Sequence, residues 1–159
     1  MRKIDQLLSE YGASHQNKLN KAIHWICVPL IFFSIVGLIW SIPSVMLRDV
    51  TGIQSSYMNW ATILLIIVVL YYVSLSKSLW IGMVVFSWLC MVAANWISNT
   101  FSMSLWMLSI IIFVVAWIFQ FYGHNVEGKK PSFLKDVQFL LIGPAWLMHF
   151  VYKKLNIPF

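Results

Sequence analysis

Charge is scarce in this sequence. Of 159 residues, 5 are acidic and 11 basic, so 10% are charged, where a soluble domain carries roughly a quarter. Too little polar surface remains to cover a water-exposed globule. That excludes an ordinary cytosolic enzyme and a disordered chain. Cysteine is rarer still: Cys27 and Cys90 lie in apolar stretches without CxxC spacing, so buried, inert thiols are expected and a disulfide framework is not. HExxH, GxSxG, GxGxxG and Walker sequences are also missing, which removes their hydrolytic and nucleotide chemistry. What the chain has instead is 60% hydrophobic residues, 16% aromatics and a mean hydropathy of +0.79. An integral membrane protein of one domain is expected.

The net charge of +6 matters through its distribution. Residues 1–24 carry Arg2, Lys3, Lys18 and Lys21, and residues 123–159 carry Lys129, Lys130, Lys135, Lys153 and Lys154. Between them stand only Arg48, Asp49 and Lys77. Basic ends flanking an uncharged middle read as membrane topology and attraction to acidic lipid headgroups rather than as nucleic-acid binding. The first residues do not form a signal peptide, since no apolar run precedes position 22.

A span needs about 20 mostly apolar residues. Four windows qualify: Trp25–Leu47, Tyr57–Leu75, Leu79–Ile97 and Met103–Tyr122. Tyr57, Trp60, Tyr71, Tyr72, Trp96, Trp106 and Tyr122 near their ends fit the aromatic belts of the two interfaces. The short connections Ser74–Ser78 and Ser98–Ser102 predict antiparallel neighbours. With four spans both termini share one side, and every basic residue except Arg48 falls there, so both termini are expected in the cytoplasm. Ile4, Leu7, Leu8 and Tyr11 recur at the spacing of an amphipathic helix, which lies along the interface or packs onto the bundle. The apolar stretch Val137–Tyr152 is short and interrupted by Gly143-Pro144, so a broken, re-entrant element is expected there. The fold class is therefore all-α: a polytopic bundle of four transmembrane helices, an interfacial N-terminal helix and a re-entrant C-terminal element.

The 4 histidines are His15, His24, His124 and His149. By this topology all four gather at the cytoplasmic end of the bundle, and neutral imidazole is the commonest protein ligand for iron, zinc and copper. On one unbroken helix His15 and His24 would point about 180° apart. They converge only if the chain breaks between them, and Asn17–Asn20 suits a break. Gly123 reads as a helix stop, leaving His124 and Glu127 in a loop that ends at Gly128 and Pro131. Each histidine taken alone reads first as an interface side chain, and only the convergence of the four points to a metal; Glu127 reads as a solvated carboxylate, a partner for Lys129 or Lys130, or a ligand. The multiple HxxxH and HxxHH clusters of two-iron membrane oxygenases are missing, so a mononuclear site is the most these residues support.

Three ordered runs carry a resemblance. Tyr11-Gly-Ala-Ser-His15 with Asn20-Lys21-Ala-Ile-His24-Trp25, then Gln120-Phe-Tyr-Gly-His124-Asn-Val-Glu127-Gly128, and Leu140-Leu-Ile-Gly-Pro144-Ala-Trp-Leu-Met-His149 together resemble the Mpo1-like family of small membrane proteins. The resemblance spans essentially the whole chain. It implies an iron(II)-dependent dioxygenase of fatty-acid α-oxidation, which shortens a 2-hydroxy fatty acid by one carbon using O2. It further implies that His15, His24 and His124 serve an iron site, with His149 as fourth candidate. Tyr11, Asn20, Lys21, Asn125 and Glu127 are then candidates for orienting the ligands or meeting substrate, and Lys18, Lys21, Lys129 and Lys130 for attracting its carboxylate or anchoring the membrane side. Two other readings remain open: a metal-dependent hydrolase or isomerase of membrane lipids, and a non-enzymatic lipid-binding scaffold. The host membrane is a bacterial inner membrane or the endoplasmic reticulum, and the oligomeric state is left open.

Overall fold

In a computed structural model, residues 2–131 and 138–158 are described. Val137, where the C-terminal element was expected to begin, and the charges Lys135 and Asp136 lie outside them. The described residues form seven helices and no strand: α1 Lys3–Ala13, α2 Lys18–Trp40, α3 Val45–Thr51, α4 Trp60–Leu75, α5 Leu79–Thr100, α6 Leu105–Glu127 and α7 Phe139–Lys154. Three of them, α2, α5 and α6, are long and apolar enough to cross a membrane, while α4 is a shorter apolar helix of 16 residues.

Their outward faces agree with that composition. Ile66, Ile67 and Leu70 on α4, Val85, Trp88 and Leu89 on α5, and Ile111, Val115, Ile118 and Phe119 on α6 are all exposed. Water-soluble proteins do not expose contiguous apolar surface on this scale.

Helix ends follow local chemistry more than hydropathy. The first apolar helix runs Lys18–Trp40 rather than Trp25–Leu47. The Asn17 side chain accepts from the Leu19 and Asn20 N–H groups and starts the helix there, ahead of the apolar window. Pro43 restricts Ile42 and stops it early, and the remainder of the expected span becomes the short α3. At the other end of the chain, α6 continues through Gly123 to Glu127 and stops at Gly128, whose φ of +70° is the left-handed cap. His124 is therefore helical, not in a loop. Gly123 serves packing instead: a Cβ there would lie 2.5 Å from Asn20 Oδ1 on α2.

The expected break at Gly143-Pro144 is also absent, since α7 is continuous with Pro144 inside it. Its two ends are tied to the same end of the bundle. The Leu141 carbonyl accepts from Tyr72 Oη at 2.7 Å, and Tyr152 Oη donates to the Ser78 carbonyl at 2.9 Å. Both ends of α7 are thus held at the end of the bundle where α4 meets α5. Tyr72 is completely buried and so is no interface anchor.

Packing follows the small residues. α4 and α5 pack as antiparallel neighbours, but α5 and α6 barely touch despite their short connection, and α6 packs chiefly on α2. Gly37 against Ser109 and Gly123 against Asn20 allow that close approach at two levels. The amphipathic α1 lays Ile4, Leu7, Leu8 and Tyr11 on α7, where all four join the main core. Cys27 and Cys90 are free and buried.

Candidate metal centre

The break between α1 and α2 falls at Ser14–Asn17, earlier than the expected Asn17–Asn20 because Asn17 caps a helix that already includes Lys18–Asn20, and it turns His15 back against His24. The His15 and His24 rings lie 4.2 Å apart, and each is 4.9 Å from the His124 ring on α6. One ligand nitrogen from each of the three falls within 4.8 Å of the others, and all three side chains are buried. Among the described residues, His15 Nε2, His24 Nε2 and His124 Nδ1 are buried without a hydrogen-bond partner. Leaving three such acceptors unpaired is costly unless something else binds them.

The opposite nitrogens show that the orientation is built. His15 Nδ1 donates to the Tyr11 carbonyl, and His24 Nδ1 donates to the Asn20 carbonyl at 2.9 Å. A carbonyl only accepts, so both rings carry their proton on Nδ1 and turn an Nε2 lone pair towards the third histidine. Burial, with His24 close by, pulls the His15 imidazole down to about 3, which keeps it neutral at physiological pH. Tyr11 stacks on His15 at 4.2 Å, and Trp146 of α7 covers the two at 5.3 and 5.4 Å.

Glu127 closes the site from outside. Its Oε1 accepts from the Gln16 N–H at 2.8 Å, and its Oε2 accepts from the Asn17 N–H at 2.7 Å and from Asn20 Nδ2 at 3.2 Å. The carboxylate therefore pins the α1–α2 turn to the end of α6. Asn20, fully buried, also donates from Nδ2 to the Ser14 carbonyl at 3.2 Å. Lys129 adds a second tie, from Nζ to the Ala13 carbonyl at 2.6 Å.

The remaining candidates fall elsewhere. His149 lies on α7 with its ring 4.9 Å from Phe150, outside the three-histidine group. The ring that reaches His15 from α7 is Trp146. Asn125 is exposed, and Lys21 is half-exposed with its backbone N–H bonded to the Asn17 carbonyl. Trp146 and Gln120 were given no role from the sequence. Gln120 had a legible signal: it is a polar residue in an apolar helix, one turn from His124 and on the same face.

A cavity adjoins the centre. His124, Gln120 and Tyr11 line it at one end, and Val28, Phe32, Val36, Leu64, Leu65 and Val68 line much of the rest. Its free volume is about 100 Å³.

Comparison with known proteins fits this arrangement. Residues 1–155 match the family described as 2-hydroxy-palmitic acid dioxygenase Mpo1-like. The chain belongs to the Mpo1-like family. It is 30% identical over 151 residues to the 2-hydroxy-palmitic acid dioxygenase MPO1 of Saccharomyces cerevisiae, covering 92% of this chain and 78% of that protein. No solved structure matches. This Mpo1-like chain brings together in space segments distant in sequence: Tyr11–His15 and Asn20–His24 meet Gln120–Glu127, and Trp146 covers Tyr11 and His15.

Proposed function

We propose that this chain is an iron(II)-dependent dioxygenase that shortens a 2-hydroxy fatty acid by one carbon at the three-histidine centre. The observation that carries the reading is the trio of buried, unpartnered imidazole nitrogens converging from α2, α6 and the turn before α2. Membership of a family described by this activity supports the substrate class.

The donor set fits a metal. Three neutral imidazoles suit iron, zinc or copper and leave coordination positions for substrate and O2. When bound, the iron supplies the O2 chemistry that no side chain of this protein provides. His15, His24 and His124 would hold it. The Tyr11 and Asn20 carbonyls fix two of the rings, and Glu127 holds the turn that carries His15. Tyr11, Trp146 and the apolar cavity wall keep bulk water away from the reacting carboxyl end. In the overall change the C1–C2 bond breaks, C1 leaves as CO2 and C2 becomes the new carboxyl. O2 accepts four electrons, and its remaining oxygen leaves in water.

In this reading α4 is a fourth span beside α2, α5 and α6, and both termini are cytoplasmic. The basic residues support that orientation: Lys18, Lys21, Lys77 and Lys129 stand at the histidine end, while Arg48 stands on α3 at the other. The test is O2 uptake by anaerobically iron-loaded protein given 2-hydroxypalmitate. Consumption of one O2 per C15 acid formed is expected. Zinc retention with turnover that needs no O2 would overturn the reading in favour of a lipid hydrolase or isomerase.

A further inference from the structure

The cavity beside the centre is asymmetric along its length. Its polar lining groups, Tyr11, Gln120 and His124, come from the histidine end of α1 and α6. From there α2 contributes Val28, Ile31, Phe32, Ile35 and Val36 in succession, and α4, running the opposite way, contributes Val68, Leu65 and Leu64. From His24 to Val36 the helix rises about 18 Å. Val36 is 2% exposed and Leu65 4%, and Leu64 beside them is half-buried, so apolar side chains of α2 and α4 border the inner end. A slot with its polar groups at one end and apolar side chains along the rest suits a molecule with one polar head and an unbranched apolar tail.

We infer that this cavity is the acyl-chain site, with Val36, Leu64 and Leu65 as the stop that sets the longest tail accepted. The inference rests on the reading of the centre as the head-group site and adds the residues that measure chain length. Tail length is then read from the metal inwards. Each further methylene that fits gains about fourfold in affinity, and the first that meets the stop gains nothing. Filling the slot at different depths should shorten the accepted tail by different amounts. Val36→Phe acts at the inner end, and Ile31→Phe acts more than one helical turn nearer the histidines.

The experiment has two arms on the full-length, iron-loaded protein. In the first, palmitate bearing a terminal diazirine is photo-crosslinked to the wild type and the adducts are mapped by mass spectrometry. Adducts on Val36, Leu64 or Leu65 are expected. Adducts confined to outward residues such as Ile66, Ile67 or Val85 would overturn the inference. In the second arm, kcat/KM is measured for 2-hydroxy acids of eight to eighteen carbons. Val36→Phe should lower the value for the sixteen-carbon acid about tenfold or more relative to the twelve-carbon acid. Ile31→Phe should move the optimum shorter still, with bound iron unchanged in both. An equal loss at every length in both variants would also overturn it. Inner-wall adducts without turnover of any 2-hydroxy acid would uphold the acyl site and defeat the dioxygenase reading instead.

Discussion

Helices α2 and α6 approach closely at two levels, and the two levels are built differently. At one, Gly37 faces Ser109, with the Ser34 hydroxyl bonded, among the described residues, to the Ile31 carbonyl of its own helix. At the other, Gly123 faces Asn20, whose amide and carbonyl reach Glu127, Ser14 and His24. Both levels use a glycine to bring backbones together. Only the second spends its polar groups on elements other than its own helix. Close approach alone makes packing. Close approach with hydrogen bonds aimed across elements makes a site, because those bonds hold the histidine turn against α6, while the Tyr11 and Asn20 carbonyls fix which nitrogen of His15 and His24 is left open.

The largest effects should fall on the histidine level. His24→Ala or His124→Ala removes a third of the donor set, and bound metal should drop from about one ion per chain to less than a tenth. Elemental analysis after anaerobic purification checks this. Glu127→Gln keeps the size of the side chain but weakens the acceptors for Gln16, Asn17 and Asn20. It should lower metal affinity about 10–100-fold while the helical content stays unchanged, as read by metal titration beside circular dichroism.

The two glycines separate the levels most cleanly. Gly123→Ala and Gly37→Ala each press a methyl group into a facing side chain, costing about 1–3 kcal/mol. Thermal unfolding in detergent should register both losses alike. Only Gly123→Ala should also release metal, since it displaces the Asn20 side chain that ties Glu127 to the histidine turn. Equal metal loss in the two variants would erase the distinction. The smallest effect belongs to Ser109→Ala. Its buried hydroxyl has no partner among the described residues, so removing it should change stability by no more than about 0.5 kcal/mol and leave metal content untouched.

Much of the site was legible because histidine is rare here and its placement is constrained. The helix geometry of His15 and His24 demanded a break, and Asn17 supplies it as the cap of α2. The helix stops at Gly128, which reads from the sequence as part of the loop. Gly123 was misread because a glycine signals either a chain end or a close neighbour, and a sequence does not carry the neighbour. The same holds for Pro144. Proline usually breaks a helix in water, but α7 keeps it inside a continuous turn packed against the bundle. The ends of α2 were shifted because a capping asparagine and a proline outrank a hydropathy window. The cavity could not be read at all, since Val36 and Leu64 come from different helices and apolar periodicity does not tell a packed side chain from one that borders a gap. Trp146 was hidden among nine tryptophans, most of which have an equally good reason to sit at an interface.

The three-histidine centre is tested most directly by metal content across four single variants, His15→Ala, His24→Ala, His124→Ala and His149→Ala, purified without oxygen and reloaded with Fe(II). About one iron per chain in the wild type and in His149→Ala, with loss in the other three, is the predicted result. Iron that depends on His149 as strongly as on the others, or no iron in the wild type after reloading, would contradict it.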